Sequence, residues 1–247
     1  MANSKYWLER EQHKANLSAD KLNKALEKIY KQAYKSLNKE VEKLWLDMLS
    51  DGEVSVNTLY KNDRLNRLMR QIERRLKTLG VQTNENLQLS LLDTFNDVWD
   101  ASNEYLAEST TLINEQLAKE IVNANYKNAT FSERVWTNLQ VIQAQIERVV
   151  IDTAITGQDV KRASRALAER MGVSLSDAKR IVITETDRVL QESCRQNALR
   201  RGYKTYSILI ESDACSVCKD KFTGKHFPLT EQVLPEHPFC KCCMRMI

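Results

Sequence analysis

The sequence predicts a mainly α protein, with a long-helix N-terminal body and a small C-terminal α+β module. Only 6 Gly and 3 Pro occur among the 247 residues, so the residues that most often interrupt helices are scarce. Apolar residues recur every three or four positions over most of the chain, which is the period of an amphipathic helix. Five of the six cysteines lie in the last 33 residues, so the C-terminal end is a separate kind of structure.

Long amphipathic helices are expected in the first half of the chain. The apolar spacing predicts one helix over residues 22–48, which the turn Asp51-Gly52 should end. A second helix is expected over residues 58–79 with Gly80 as its C-terminal cap. Residues 84–127 form a further predicted helical stretch.

Shorter helices are expected in the second half. The pattern predicts one helix over 133–155 and another over 159–171 that Gly172 closes. A last helix should begin after a Ser176 cap and end at Gly202.

The pattern changes from helical to β-prone beyond Gly202. Residues 203–210 are rich in β-branched and aromatic types, and a hairpin turn is expected within 221–229. We therefore predict three parts: a long-helix region over 1–128, a helical domain over 129–202 and a small β module over 203–247.

One side of the second predicted helix is basic, although the net charge of +4 is too balanced to indicate a nucleic-acid binder by itself. Residues 61–77 contain seven basic and two acidic side chains. The candidate DNA-phosphate contacts, whose affinity would come from counterion release, are Arg64, Arg67, Arg70, Arg74 and Arg75. The alternative is a solvated helix face, because arginine is also a good helix former.

The cysteines of the β module have the spacing of a metal site. They read Cys215-x2-Cys218, then 18 residues, then His237-x2-Cys240-x-Cys242 with Cys243 next. Thiolates and imidazoles are the ligands that tetrahedral Zn²⁺ prefers. Cys215, Cys218 and His237 are the first three candidate ligands, and Cys240 and Cys242 are alternatives for the fourth, with Cys243 outside the site.

Four protein donors leave zinc no position for a reactive water, so the predicted zinc is structural. The chain also lacks the motifs HExxH, GxxxxGK[ST], GxGxxG and GxSxG. Glu185 and Arg188 form an ordinary i,i+3 pair on a predicted helix. The sequence therefore predicts no enzyme activity. No run of 18 apolar residues and no signal-like start occur, so we expect a soluble protein without a membrane span that is made in the cytoplasm.

Near the C-terminal end, the segments SDACSVCKDKFTGKHF and PEHPFCKC follow the pattern D-x-x-C-x-x-C…G…HPxCxC. This pattern resembles the signature of the head morphogenesis family of phage minor head proteins. Agreement extends to three other segments: NSKYWLERE near the start, FSERVWTNLQ at 131–140, and RIVITETDRVLQESCRQNA at 180–198. Together these segments extend over essentially the whole chain.

The resemblance implies a minor capsid protein of a tailed bacteriophage. Such a protein is made in the host cytoplasm, enters the procapsid, and stays in the virion, inside the capsid near the portal. The expected partners are the portal protein, packaged double-stranded DNA and other head proteins. The expected role is in head assembly, DNA packaging or DNA ejection. Two alternatives are a zinc-containing DNA-binding protein that acts without a portal, and a zinc hydrolase, which would need an open coordination position.

Overall fold

The computed structural model describes residues 4–104, 115–211, 214–240 and 242–247. Side chains are described for residues 17–100 and for the three later ranges. All five candidate metal ligands and all five candidate arginines lie within these ranges. Residues 105–114 of the predicted helical stretch lie outside them.

The described chain is mainly α, as predicted. Its helices, in chain order, are α1 (Ser4–Leu49), α2 (Val56–Tyr60), a short 3₁₀ helix (Lys61–Asp63), α3 (Arg64–Glu104), α4 (Glu115–Val122), α5 (Phe131–Ile155), α6 (Val160–Arg200) and α7 (Ser216–Phe222). Among the described helices, none combines the length and apolarity that crossing a bilayer requires.

A small antiparallel sheet follows α6, which confirms the α+β character of the C-terminal module. Its strands are β1 (Thr205–Leu209), β2 (His226–Pro228) and β3 (Cys243–Met246). The spatial order is β2-β1-β3, with Tyr206 opposite Phe227 on one side and opposite Met246 on the other. Strand β3, which directly follows the cysteine-rich segment, is therefore hydrogen-bonded to the central strand β1.

The predicted apolar stripe of α1 is buried along its length. Leu26, Leu37 and Met48 are fully buried, because residues three, four or seven apart lie on one face of a helix. The helix ends at Leu49 as expected, where Gly52 adopts a φ of 107° and its N–H donates to the carbonyl of Leu49.

Two predicted helix ends are wrong. Gly80 lies inside α3 and Gly172 lies inside α6, so neither residue is a cap, and Ser176 does not begin a new helix. At Gly80 the absent side chain has a packing role. A Cβ there would lie 2.6 Å from Cη2 of Trp136 and 2.7 Å from Cδ1 of Leu139 on α5, so glycine permits the close approach of α5 to α3.

Contacts between residues divide the chain into two compact units. The first contains Met1–Asn23, Asn86–Phe131 and Arg180–Ile247, which includes the C-terminal module. The second contains Lys24–Glu85 and Ser132–Lys179. Helices α1, α3 and α6 contribute residues to both units. The boundaries expected at residues 128 and 202 divide the chain by sequence order and stay a prediction.

Candidate metal centre

Helix α7 positions the first two candidate ligands. Cys215 is the N-cap residue of α7, with φ −64° and ψ 162°, and its Sγ accepts a hydrogen bond from the backbone N–H of Cys218 at 3.5 Å. An N-cap side chain and the side chain three residues later lie at the same end of a helix. The two-residue spacing therefore brings both sulfurs to the start of α7.

A tight turn before β3 supplies the other donors. The N–H of Cys240 donates to the carbonyl of His237 at 3.1 Å, and Phe239 between them has a positive φ of 61°. Nδ1 of His237 lies 2.8 Å from the carbonyl oxygen of Pro238. A proton on Nδ1 donates to that oxygen and leaves Nε2 with a free lone pair, which is the usual arrangement of a histidine ligand.

The two segments meet around Cys218. Nε2 of His237 lies 3.2 Å from Sγ of Cys215 and 3.2 Å from Sγ of Cys218. The sulfurs of Cys218 and Cys240 are 3.9 Å apart. Two groups of donors, each within 4.8 Å of one another, are formed by Cys215, Cys218 and His237 and by Cys218, Cys240 and Cys242. This Cys/His cluster can hold a metal ion, and Cys218 belongs to both groups.

Crowding of the thiols separates their pKa values. Burial raises the pKa of Cys218 to about 12, whereas a hydrogen bond from Cys242 lowers the pKa of Cys240 to about 5. That same hydrogen bond and burial raise the pKa of Cys242. Of these three thiols, Cys240 therefore ionises most readily. A divalent cation suits such a cluster, because it replaces thiol protons and stabilises several thiolates at once.

The pKa values of Cys215 and His237 are shifted in the directions that favour a thiolate beside an imidazolium. The backbone N–H of Cys218 lowers the pKa of Cys215, and the charge of His237 lowers it further. The carbonyl of Pro238 raises the pKa of His237. None of the described cysteines forms a disulfide.

A small hydrophobic core supports the cluster from behind. Cys218, Cys240 and Cys242 are buried together with Tyr206, Phe222, Leu229 and Leu234. The ring of Phe227 contacts those of Tyr206 and Phe222 at centroid distances of 5.8 Å. So small a core contributes little folding free energy by itself, which gives a bound metal a large share of the module's stability.

Two side chains of helix α6 form hydrogen bonds with the C-terminal module. Arg195 donates to the carbonyl of Leu229, and its guanidinium is held by Glu192 at 2.6 Å. The side-chain oxygen of Gln191 accepts a hydrogen bond from the N–H of Met244 in β3 at 3.1 Å. The nearby carboxyl of Asp187 has a pKa well above its usual range because it is buried and because the charge of Cys240 opposes its ionisation.

The expected pair of Glu185 and Arg188 exists, but it is buried. Nε of Arg188 lies 2.6 Å from Glu185, and both side chains are almost inaccessible to solvent. The same guanidinium donates to the carbonyls of Ile121 at 2.8 Å and Val122 at 3.0 Å. These are the last carbonyls of α4, which lack partners within their own helix. The pair therefore joins α4 to α6, a role that the i,i+3 spacing did not indicate.

The five candidate arginines of the basic face differ in their surroundings. Arg64 is buried and bonded to Asp51 at 2.6 Å and to the carbonyl of Thr58 at 3.0 Å, so it stabilises the turn after α1. Arg70 pairs with Asp63 at 3.0 Å, and Arg75 lies 3.6 Å from Glu40. Arg67 and Arg74 are exposed. Whether this face binds DNA stays a prediction.

The fold and the site together define a mainly α protein with a C-terminal Cys/His cluster that can hold a metal ion. Comparison of the chain with protein-family models, with curated proteins and with solved structures finds no match in any of the three.

Proposed function

We propose that this chain is a minor capsid protein of a tailed bacteriophage, which binds the portal protein inside the procapsid and assists head assembly, DNA packaging or DNA ejection. In this proposal the chain is a structural protein of the virion and has no enzyme activity. Its C-terminal metal centre holds a structural Zn²⁺.

The observation that supports this proposal is the convergence of the signature residues. Cys215 and Cys218 stand on α7, and His237 and Cys240 stand on a turn 18 residues further along the chain. Their donor atoms nevertheless lie at contact distance from one another. The residues that carry the resemblance to the head morphogenesis signature are thus the residues that form one site, as a functional signature requires.

Zinc is the metal that this donor set suits. Three cysteine sulfurs and one imidazole match the Cys₃His composition of structural zinc sites, and softer thiolate ligands disfavour Mg²⁺ and Ca²⁺. A fifth donor is also present, since both Cys240 and Cys242 are near Cys218. With so many protein donors, a side chain and not a water molecule can fill the fourth coordination position of the zinc ion. This favours a structural zinc over a hydrolytic one.

The contacts of the module suggest how zinc serves portal binding. The metal centre joins α7 to the turn before β3, while Arg195 and Gln191 bind the module to α6. A module fixed in this way presents a rigid surface, and rigid surfaces lose less conformational entropy on binding. We propose that this end of the chain docks on the portal.

Co-purification tests this proposal. The tagged full-length chain is expressed with the portal protein of the same phage, and the complex is isolated by affinity and size-exclusion chromatography. The proposal expects the chain to elute with the portal oligomer, and Cys218→Ser to reduce that association while Cys243→Ser does not. Absence of the folded, zinc-loaded chain from the portal fractions would contradict the proposal.

A further inference from the structure

A row of five lysines follows the exposed side of α1. Their spacing of three or four residues places them within about 80° of the helix circumference, over about 22 Å of its length. All five are exposed, and none is in an ion pair within the described part of the chain. This lysine row consists of Lys24, Lys28, Lys31, Lys35 and Lys39.

Two acidic side chains beside the row contact cations of other helices. Glu27 accepts from Lys179 of α6 at 2.5 Å, and that contact lowers the pKa of Glu27. Glu40 lies 3.6 Å from Arg75 of α3. The row lysines therefore form no ion pair among the described residues, and Glu42 is the exposed carboxylate that lies on their face of the helix.

Packing holds the row straight. The opposite side of α1 buries Leu26, Leu37 and Val41, and Trp45 donates to the carbonyl of Gln158 at 3.0 Å. A helix fixed by its apolar face keeps its exposed charges in line, so little backbone entropy is lost when they meet a straight polyanion.

The lysine row has more available charge than the arginine face of α3. On that face Arg64 is buried, and Arg70 and Arg75 have carboxylate partners. Each of the five row lysines extends an ammonium group into solvent. Ammonium groups act as point charges that do not depend on a fixed approach geometry, which suits contact with a repeating phosphate backbone.

We propose that the lysine row binds the phosphate backbone of duplex DNA without sequence preference. Duplex DNA carries one phosphate for every 1.7 Å or so of its axis when both strands are counted, so a row about 22 Å long lies along a segment with about 13 phosphates around its circumference. Single strands are bound through exposed aromatic platforms, whereas Tyr30 is buried and Tyr34 half-buried on this helix. The buried apolar face of α1 also cannot enter a membrane surface. This inference does not depend on portal binding.

The test measures binding of the full chain to a labelled mixed-sequence duplex of about 30 base pairs by fluorescence anisotropy, from about 50 to 200 mM salt. The row variant changes its five lysines to glutamine. The matched control loses the same charge from α3, with glutamine at Arg67, Arg70, Arg74, Arg75 and Lys77. A third variant changes the five row lysines to arginine. Glutamine and arginine have helix propensities close to that of lysine, and circular dichroism checks the fold.

The proposal expects the wild-type affinity to fall steeply with salt. Each lysine that contacts a phosphate contributes about 0.9 to the slope of log affinity against log salt, so the row variant should lose about 4 from that slope. The arginine variant of the row should retain the slope, and the α3 control should retain most of it. Equal losses in both glutamine variants, a loss confined to the α3 control, or no duplex binding by the wild-type chain would overturn the proposal.

Two further probes distinguish DNA from other polyanions. Poly-glutamate represents an acidic protein surface, and vesicles of phosphatidylserine and phosphatidylcholine represent an anionic membrane. At equal ionic strength the wild-type chain should bind the duplex more tightly than either probe. Tighter binding to either probe, lost in the row variant, would show that the row serves a different partner.

Discussion

Cys218 is the residue on which the metal centre depends most. It belongs to both groups of donors, with Nε2 of His237 at 3.2 Å and Sγ of Cys240 at 3.9 Å. Cys215 and His237 complete one group, and Cys240 and Cys242 complete the other. We therefore expect a single ion that draws donors from both groups to bind Cys218.

Replacement of Cys218 by serine should abolish stoichiometric metal binding, because a neutral hydroxyl is a poor zinc ligand and both donor groups lose their shared member. Cys243→Ser provides the matched control. Cys243 is buried in β3, and it belongs to neither donor group of the described residues. Elemental analysis of the purified variants measures bound zinc. Equal zinc content in the two variants would contradict the ligand assignment.

The buried pair of Glu185 and Arg188 makes a second residue-scale prediction. Arg188→Met removes the cation beside the buried carboxylate of Glu185 and one donor from each of two carbonyls at the end of α4. Breaking one side of a buried ion pair costs about 3–5 kcal/mol. Urea unfolding should show a loss of that size.

The double variant Glu185→Gln with Arg188→Met is the control for that loss. It leaves no uncompensated charge, so it should lose less unfolding free energy than Arg188→Met alone. A double variant that is less stable than the single one would show that the ion pair is not what Arg188 contributes.

At the scale of elements, the helices followed from apolar spacing while some of their ends did not. The stripe that includes Leu26, Leu37 and Met48 predicted α1, and it is buried as expected. Glycine normally favours a helix end because it adopts positive φ at low cost. At Gly80 that local preference is overridden by packing against Trp136 and Leu139, which are distant in sequence. A single sequence contains no sign of that contact.

The two helical glycines give a matched pair of substitutions. Gly80→Ala should destabilise the protein by about 1–3 kcal/mol, because the new Cβ overlaps Trp136 and Leu139. Gly172→Ala should stabilise it by about 0.5–1 kcal/mol, because nothing lies within 4 Å of the new Cβ and alanine is the better helix former. Urea denaturation measures both. A shift of the same sign in the two variants would contradict the packing role of Gly80.

For the molecule as a whole, the candidate site was predictable in part. Ligand types and spacing indicated Cys215, Cys218 and His237, since metal sites draw on few residue types. The contacts of Arg195 and Gln191 with the module were not predictable. Polar residues on a helix are usually exposed, and only the tertiary arrangement buries this part of α6. The lysine row was readable from its spacing alone, but its lack of ion-pair partners required the structure.

Metal removal should unfold the C-terminal module and leave the long helices folded. A chelator should release the ion and unfold the C-terminal module, because its small core depends on metal binding. The long helices bury their own apolar stripes, so the helical circular dichroism signal should remain. Limited proteolysis followed by mass spectrometry should then show new cleavage within residues 203–247. Cleavage spread evenly along the chain would contradict a metal effect confined to the module.

The most direct test of the metal centre is native mass spectrometry of the full chain purified without added chelator. A single metal centre built from the Cys/His cluster predicts one zinc ion per chain. The mass of the zinc-bound chain should equal that of the metal-free chain plus one zinc ion, minus one proton for each cysteine that binds the ion as a thiolate. Treatment with acid should release the ion and expose those thiols to alkylation. A metal-free chain whose cysteines are all alkylated before acid treatment would contradict zinc binding by the Cys/His cluster.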